Sequence, residues 1–221
     1  MSKFKPLIKI CGVTSVDQAI QIAELGVDAI GIISVKESPR YISQQNKNHI
    51  FQKLKNCFPK LKRVSVYKDI PLDILKPSDN NTFNENVIQL HGDETPDYCS
   101  KLKDLIPSIE IWKAFRIQSQ NELICLKDFE NSVDAILLDS WDKEAYGGTG
   151  KRIKGIDFKK LVTNKPWWLA GGVSSDWIEY LLKEIKPDGI DISSSIELSP
   201  GKKDIDKTKL IIEKIRNFDK L

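Results

Sequence analysis

The stretch Leu7-Ile8-Lys9-Ile10-Cys11-Gly12, then Ser15, then Ala29-Ile30-Gly31-Ile32-Ile33-Ser34 decides the fold. Its two short apolar runs are rich in isoleucine and bounded by turn signals, which is strand character. Between them Ser15 offers an oxygen as a helix N-cap, Ala19, Ile20, Ile22, Ala23 and Leu25 form one apolar stripe, and Gly26 stops the helix. The reading is a strand, a crossover helix and a second strand. That unit recurs. Strand-like runs cover 7–11, 29–34, 63–67, 87–90, 109–114, 135–139, 167–170 and 189–193, with starts 22 to 34 residues apart. A helix is expected over 174–185, where Ile178, Leu181, Leu182 and Ile185 recur before Pro187, and another over 205–218. After the third run, Pro71, Pro77 and the polar Ser78-Asp79-Asn80-Asn81-Thr82 leave room for a turn or two of helix, so one crossover is degenerate.

Eight such units in 221 residues fit an α/β chain folded as a (β/α)8 TIM barrel, a fold that spans about 200 to 400 residues. An open doubly wound sheet is the alternative. No linker or break in composition divides the chain, which is read as one catalytic domain over 1–221. With 40% apolar and 29% charged residues, a disordered chain is excluded. Thirty-four Lys and Arg against 31 Asp and Glu leave a net charge of +3, scattered along the chain, which argues against a nucleic-acid partner and suits a small anion. Cys11, Cys57, Cys99 and Cys125 lie far apart without metal-ligand spacing, so neither disulfides nor a metal site is expected, and the compartment is read as reducing. No apolar run reaches the roughly 18 residues of a membrane helix, and the first residues lack the apolar core of a signal peptide. A cytoplasmic protein without a membrane partner is expected.

In a barrel, side chains at the carboxyl ends of the strands converge on one face. Those exits carry Cys11 with Gly12, Arg40 in the second loop, Gln89 and His91, Lys113 and Arg116, Asp139 with Ser140, Gly171 with Gly172, and Asp191 with Ser193 and Ser194. The paired glycines after the seventh run and the serines after the eighth, at an expected helix start, offer backbone N–H groups to a phosphate. The plain reading of the glycines is a tight turn. Cys11 as a thiolate could attack a carbon or take a proton if neighbouring cations or helix ends lower its pKa, although a free cysteine is by default a buried hydrophobe. Asp139 is a candidate acid or a helix cap. Arg40 offers a planar fork to a carboxylate, or is a solvated loop charge. His91 is read as structural.

Lys9-Ile10-Cys11-Gly12-Val13-Thr14 resembles the opening motif of the phosphoribosylanthranilate isomerases of tryptophan biosynthesis. Further matches follow in order: Ser38-Pro39-Arg40-Tyr41-Ile42, Ile88-Gln89-Leu90-His91-Gly92-Asp93-Glu94, Leu138-Asp139-Ser140 with Gly147-Gly148-Thr149-Gly150, Leu169-Ala170-Gly171-Gly172-Val173, and Asp191-Ile192-Ser193-Ser194 with Pro200-Gly201-Lys202-Lys203-Asp204. The resemblance implies an Amadori rearrangement of an aminoaldose to the aminoketose 1-(2-carboxyphenylamino)-1-deoxyribulose 5-phosphate, with no cofactor and no metal. It implies that Asp139 is the general acid, that Cys11 is the base, and that Arg40 meets the anthranilate carboxylate. Gly171, Gly172, Ser193 and Ser194 would hold the phosphate. The partner is then a phosphorylated small molecule, and the chain is expected as a monomer with a homodimer as the alternative. Gly31-Ile32-Ile33-Ser34-Val35 lacks the family's usual aromatics, Lys151-Arg152-Ile153 matches loosely, and Ser195 replaces a glycine, which bears on the phosphate-site backbone if φ is positive there. Competing readings are an inactive phosphate-ligand-binding barrel of the same ancestry and a histidine-pathway isomerase. Cys11 argues against the second, whose family places aspartates in both catalytic positions.

Overall fold

In the computed structural model, which describes residues 5–77, 83–139 and 156–218, eight parallel strands close into one barrel in chain order. They are β1 (Leu7–Cys11), β2 (Ala29–Ile33), β3 (Lys62–Tyr67), β4 (Val87–Leu90), β5 (Glu110–Arg116), β6 (Ala135–Asp139), β7 (Trp167–Ala170) and β8 (Gly189–Ile192). Each expected run becomes a strand, with ends displaced by at most two residues. An open sheet is ruled out by the β1–β8 pairing, in which Lys9 lies opposite Asp191.

Helices α1 (Val16–Glu24), α2 (Gln44–Cys57), α3 (Pro96–Leu105) and α5 (Ile205–Asn217) cover the outside. Each begins where a short polar side chain accepts from a backbone amide: Ser15 from Gln18, Ser43 from Asn46, Thr95 from Tyr98 and Asp204 from Lys207. Among the described residues, the crossover after β3 holds a single 3₁₀ turn, Leu72–Leu75, following Pro71. A second irregular crossover follows β5, where Gln120–Phe129 is 3₁₀, started by a capping box between Ser119 and Glu122. The helix expected over 174–185 is shorter: α4 (Ile178–Tyr180) continues as a π-helical stretch over Leu181–Ile185. After β8 a small antiparallel hairpin, β9 (Glu197–Ser199) and β10 (Lys202–Lys203), precedes α5. Nothing in the strand periodicity foretells it. No helix among the described residues is long and apolar enough to cross a membrane.

Inside the barrel the staggered registers stack the inward side chains in layers of four drawn from alternate strands. Trp112 and Trp168, with ring centroids 4.7 Å apart, fill the lower part. Gly189 yields space to that indole, since a Cβ there would lie 2.2 Å from Trp168 Cε3. Above the indoles lies the layer of Gly31, Gln89, Leu137 and Asp191, then that of Cys11, Val66, Ala114 and Ala170. Ile33, His91, Asp139 and Ser193 form the rim. Polar groups enter the barrel toward its carboxyl-terminal mouth, with Lys9 rising from the layer of the indoles; at the opposite end Lys62 pairs with Glu110, which accepts from Trp112 Nε1 at 3.0 Å.

Candidate active site at the barrel mouth

Strand alternation puts Cys11 and Asp139 on the inward face of β1 and β6, in adjoining layers at the same mouth. Cys11 is buried. Its neighbours do not bring its pKa below the ordinary value, as the sequence reading required. Burial pushes the thiol above its ordinary value; Lys9 works against that rise, Asp191 adds to it, and Lys203 pulls down. Asp139, partly exposed, faces His91, whose Nε2 stands 3.2 Å from Asp139 Oδ2. Gln89 Nε2 lies 3.4 Å from His91 Nδ1. An amide N–H donating to Nδ1 leaves the neutral imidazole proton on Nε2, aimed at the carboxylate. His91 therefore belongs to the site rather than to the scaffold.

Arg40 reaches the mouth across Gly12, which has φ +78° and is so close that a Cβ would fall 2.6 Å from Arg40 Cδ. One side of its fork is already engaged. Nε donates to Glu197 Oε1 at 2.9 Å, and Nη2 to Oε2 at 2.6 Å. Lys203 Nζ, wholly buried, donates to the same Glu197 at 2.7 Å and to the Ser193 carbonyl at 3.1 Å. The hairpin therefore fixes the arginine side-on through Nε and Nη2, and leaves its outer edge, Nη1 with the second N–H of Nη2, outside the bonds to Glu197. Glu197 escaped the sequence reading, and Lys203 figured there only within the matched stretch 200–204 with no place at the mouth, because nothing local marks the strand that returns them to it.

Gly171 and Gly172 both have positive φ, +85° and +62°, the turn expected after β7. Ser193 Oγ donates to the Cys11 carbonyl at 3.0 Å, tying the end of β8 to the end of β1. Ser194 is exposed and opens a three-residue 3₁₀ turn, Ser194–Ile196, not the helix expected there. Ser195 lies in that turn and is not among the residues with positive φ, so its side chain does not strain the backbone. Lys113 turns away from the mouth: its Nζ donates to the Gly92 carbonyl at 2.7 Å and pairs with Glu94, bracing the loop after β4. Ser140, Gly147, Gly148, Thr149, Gly150, Lys151, Arg152 and Ile153 lie outside the described residues.

The family model for N-(5'-phosphoribosyl)anthranilate isomerase matches residues 8–214. A relative of that name from Crocosphaera subtropica is 38% identical over 216 residues, covering 96% of this chain and 99% of its own length. One from Acaryochloris marina is 36% identical, with 96% and 98% covered. Among solved structures, the phosphoribosyl anthranilate isomerase of Thermotoga maritima superposes with a TM-score of 0.80 at 29% identity, covering 96% of this chain and 99% of that one. A phosphoribosyl anthranilate isomerase in complex with reduced 1-(o-carboxyphenylamino)-1-deoxyribulose 5-phosphate gives 0.76 at 27% identity, with 96% and 99% covered.

Proposed function

The chain belongs to the N-(5'-phosphoribosyl)anthranilate isomerase family, and from that premise we propose how its own residues divide the reaction. It is an aldose–ketose isomerase of tryptophan biosynthesis acting on a phosphorylated small molecule. Asp139, protonated, gives its proton to the ribose ring oxygen as the C1–O bond opens and the nitrogen lone pair forms a Schiff base. Cys11, ionised, then takes the proton from C2. The C2–H electron pair becomes the C1–C2 double bond and the iminium electrons return to nitrogen, so an enolamine forms and tautomerises to the ketone. His91 aims Asp139 at the ring oxygen.

The outer edge of Arg40 receives the anthranilate carboxylate, its other edge being held by Glu197. Gly171, Gly172, Ser193 and Ser194 hold the phosphate. Pinning both charged ends lets two modest proton-transfer groups act on the sugar between them. The observation that supports this reading most directly is the pair of inward side chains, Cys11 and Asp139, in adjoining layers of one mouth. The reading extends to a single catalytic domain over 1–221, working as a monomer in the cytoplasm.

The test is turnover of freshly prepared phosphoribosylanthranilate, followed by its fluorescence. Cys11→Ser and Asp139→Asn should each lower kcat by about 10²- to 10⁴-fold while a reduced product analogue still binds. Near-normal turnover in both variants overturns the assignment, and saturable binding by the unaltered protein with no turnover selects the inactive-barrel reading. Because the reactive form holds Cys11 ionised and Asp139 protonated, single-turnover kcat/KM should be bell-shaped in pH.

A further inference from the structure

Lys9 is 0% exposed in the interior of the barrel, beneath a mouth whose reaction does not name it. A buried ammonium is costly unless it is paired. Lys9 Nζ donates to Asp191 Oδ2 at 2.8 Å across the β1–β8 register. That carboxylate is nearly buried and its second oxygen, Oδ1, has no hydrogen-bond partner among the described residues. The pair is thus not a closed structural unit; it leaves an acceptor unused directly under the reacting layer.

The ammonium also lies beside the sulfur. A Cβ built on Gly31 would stand 2.8 Å from Cys11 Sγ, 3.0 Å from Lys9 Cε and 3.1 Å from Lys9 Nζ. One missing methyl group therefore vacates the point around which thiol and ammonium meet. Gly31 is in the middle of a strand, where glycine is otherwise unfavourable. Any larger residue there would press on both Lys9 and Cys11. Attraction to Asp191 and to Cys11 outweighs burial and holds the Lys9 ammonium protonated.

We propose that Lys9 is a positioning residue, whose ammonium, steered by Asp191 and admitted by Gly31, stabilises the Cys11 thiolate in the step that removes the sugar C2 proton. This rests on the reading of Cys11 as the base. Among the described residues, four charged groups act on the thiol: Lys9 from below, Asp191 from β8, Lys203 from the hairpin, and Arg40 crossing above Gly12. Lys203 and Arg40 share Glu197, whose charge offsets them. Lys9 is the cation that acts on Cys11 most strongly, and Asp191, its counter-ion, acts in the opposite sense.

The opposed signs supply the test. Carbamidomethylation of the full-length protein by iodoacetamide is followed against pH on the Cys11 peptide by mass spectrometry, whose midpoint reports thiol ionisation. Lys9→Met should move that midpoint up by about one to three pH units, the range for an opposite charge at this distance. Asp191→Asn, which keeps an acceptor for Lys9 and removes the negative charge, should move it down. A role confined to holding the barrel together predicts loosening, and hence a shift of the same sign, in both variants.

Same-sign shifts, or an unmoved midpoint in either folded variant, overturn the proposal. If Lys9→Met does not fold, Lys9→Gln, which keeps a donor toward Asp191 without the charge, takes its place: an upward shift supports the proposal, and anything else refutes it. Failure here is separable from failure of the base assignment. Turnover by Cys11→Ser tests the latter and involves neither Lys9 nor Asp191.

Discussion

Arg40 illustrates how one side chain is made specific by what holds it. A guanidinium has two bidentate edges, and Glu197 occupies the one formed by Nε and Nη2. A substrate carboxylate meets the other with the plane already set. Arg40→Lys keeps the charge but loses both the plane and the second donor. Loss of a charge-assisted hydrogen bond of about 1.5–3 kcal/mol should raise KM about tenfold or more, with a smaller effect on kcat. An equal fall in kcat at unchanged KM would place Arg40 in the chemistry rather than in binding. The motif around Arg40 was legible because it lies in one stretch of chain. Glu197 was not, because 157 residues separate the pair and only the hairpin brings them together.

The packing of α2 on β3 depends on a buried ionic group away from the mouth. Lys47 Nζ, wholly buried, donates to Glu85 Oε1 at 2.9 Å and to Tyr67 Oη at 2.7 Å, and Ser65 Oγ donates to the same carboxylate. Burial works to raise the Glu85 carboxyl, but Lys47 and Ser65 outweigh it and hold it below its ordinary value. A carboxyl depressed in the folded state stabilises the fold above its unfolded pKa, and that stability is lost as pH falls through the folded value. Stability should therefore drop on the acid side of the ordinary 4.5, and Glu85→Gln should flatten that limb in a series of Tm against pH. Lys47→Met, which strands a buried carboxylate, should cost about 3–5 kcal/mol in urea unfolding. A loss well under that, at neutral pH, would show the carboxylate to be solvated. No local signal in the sequence marks Lys47, and only docking against β3 buries it.

Closure of the barrel sets the positions of all the groups at the mouth through the layers beneath them. The indoles of Trp112 and Trp168 fill the lower interior, and Gly189 makes way for the second. Gly189→Ala should destabilise by about 1–3 kcal/mol through overpacking alone, because Gly189 is not among the glycines with positive φ. Urea unfolding followed by tryptophan fluorescence measures it. An unchanged midpoint would mean that the indoles have room to shift. The same layering explains why Gly31, in the next layer up, is small. There it vacates space for an ion and a thiol, not for a ring.

Strand periodicity, glycine punctuation and motif order suffice for eight strands, the barrel and the exits that bear Cys11, Arg40, His91, Asp139 and the glycine turn. Those signals are local, and the spacing of side chains along a strand is the same before and after folding. The Arg40–Glu197–Lys203 cluster, the contact of His91 with Asp139, the ascent of Lys9 to Cys11 and the direction in which Cys11's acidity moves arise only on closure. They depend on which strands become neighbours and on how much water is excluded between them, and an ionisable group responds to both only once the chain has folded around it.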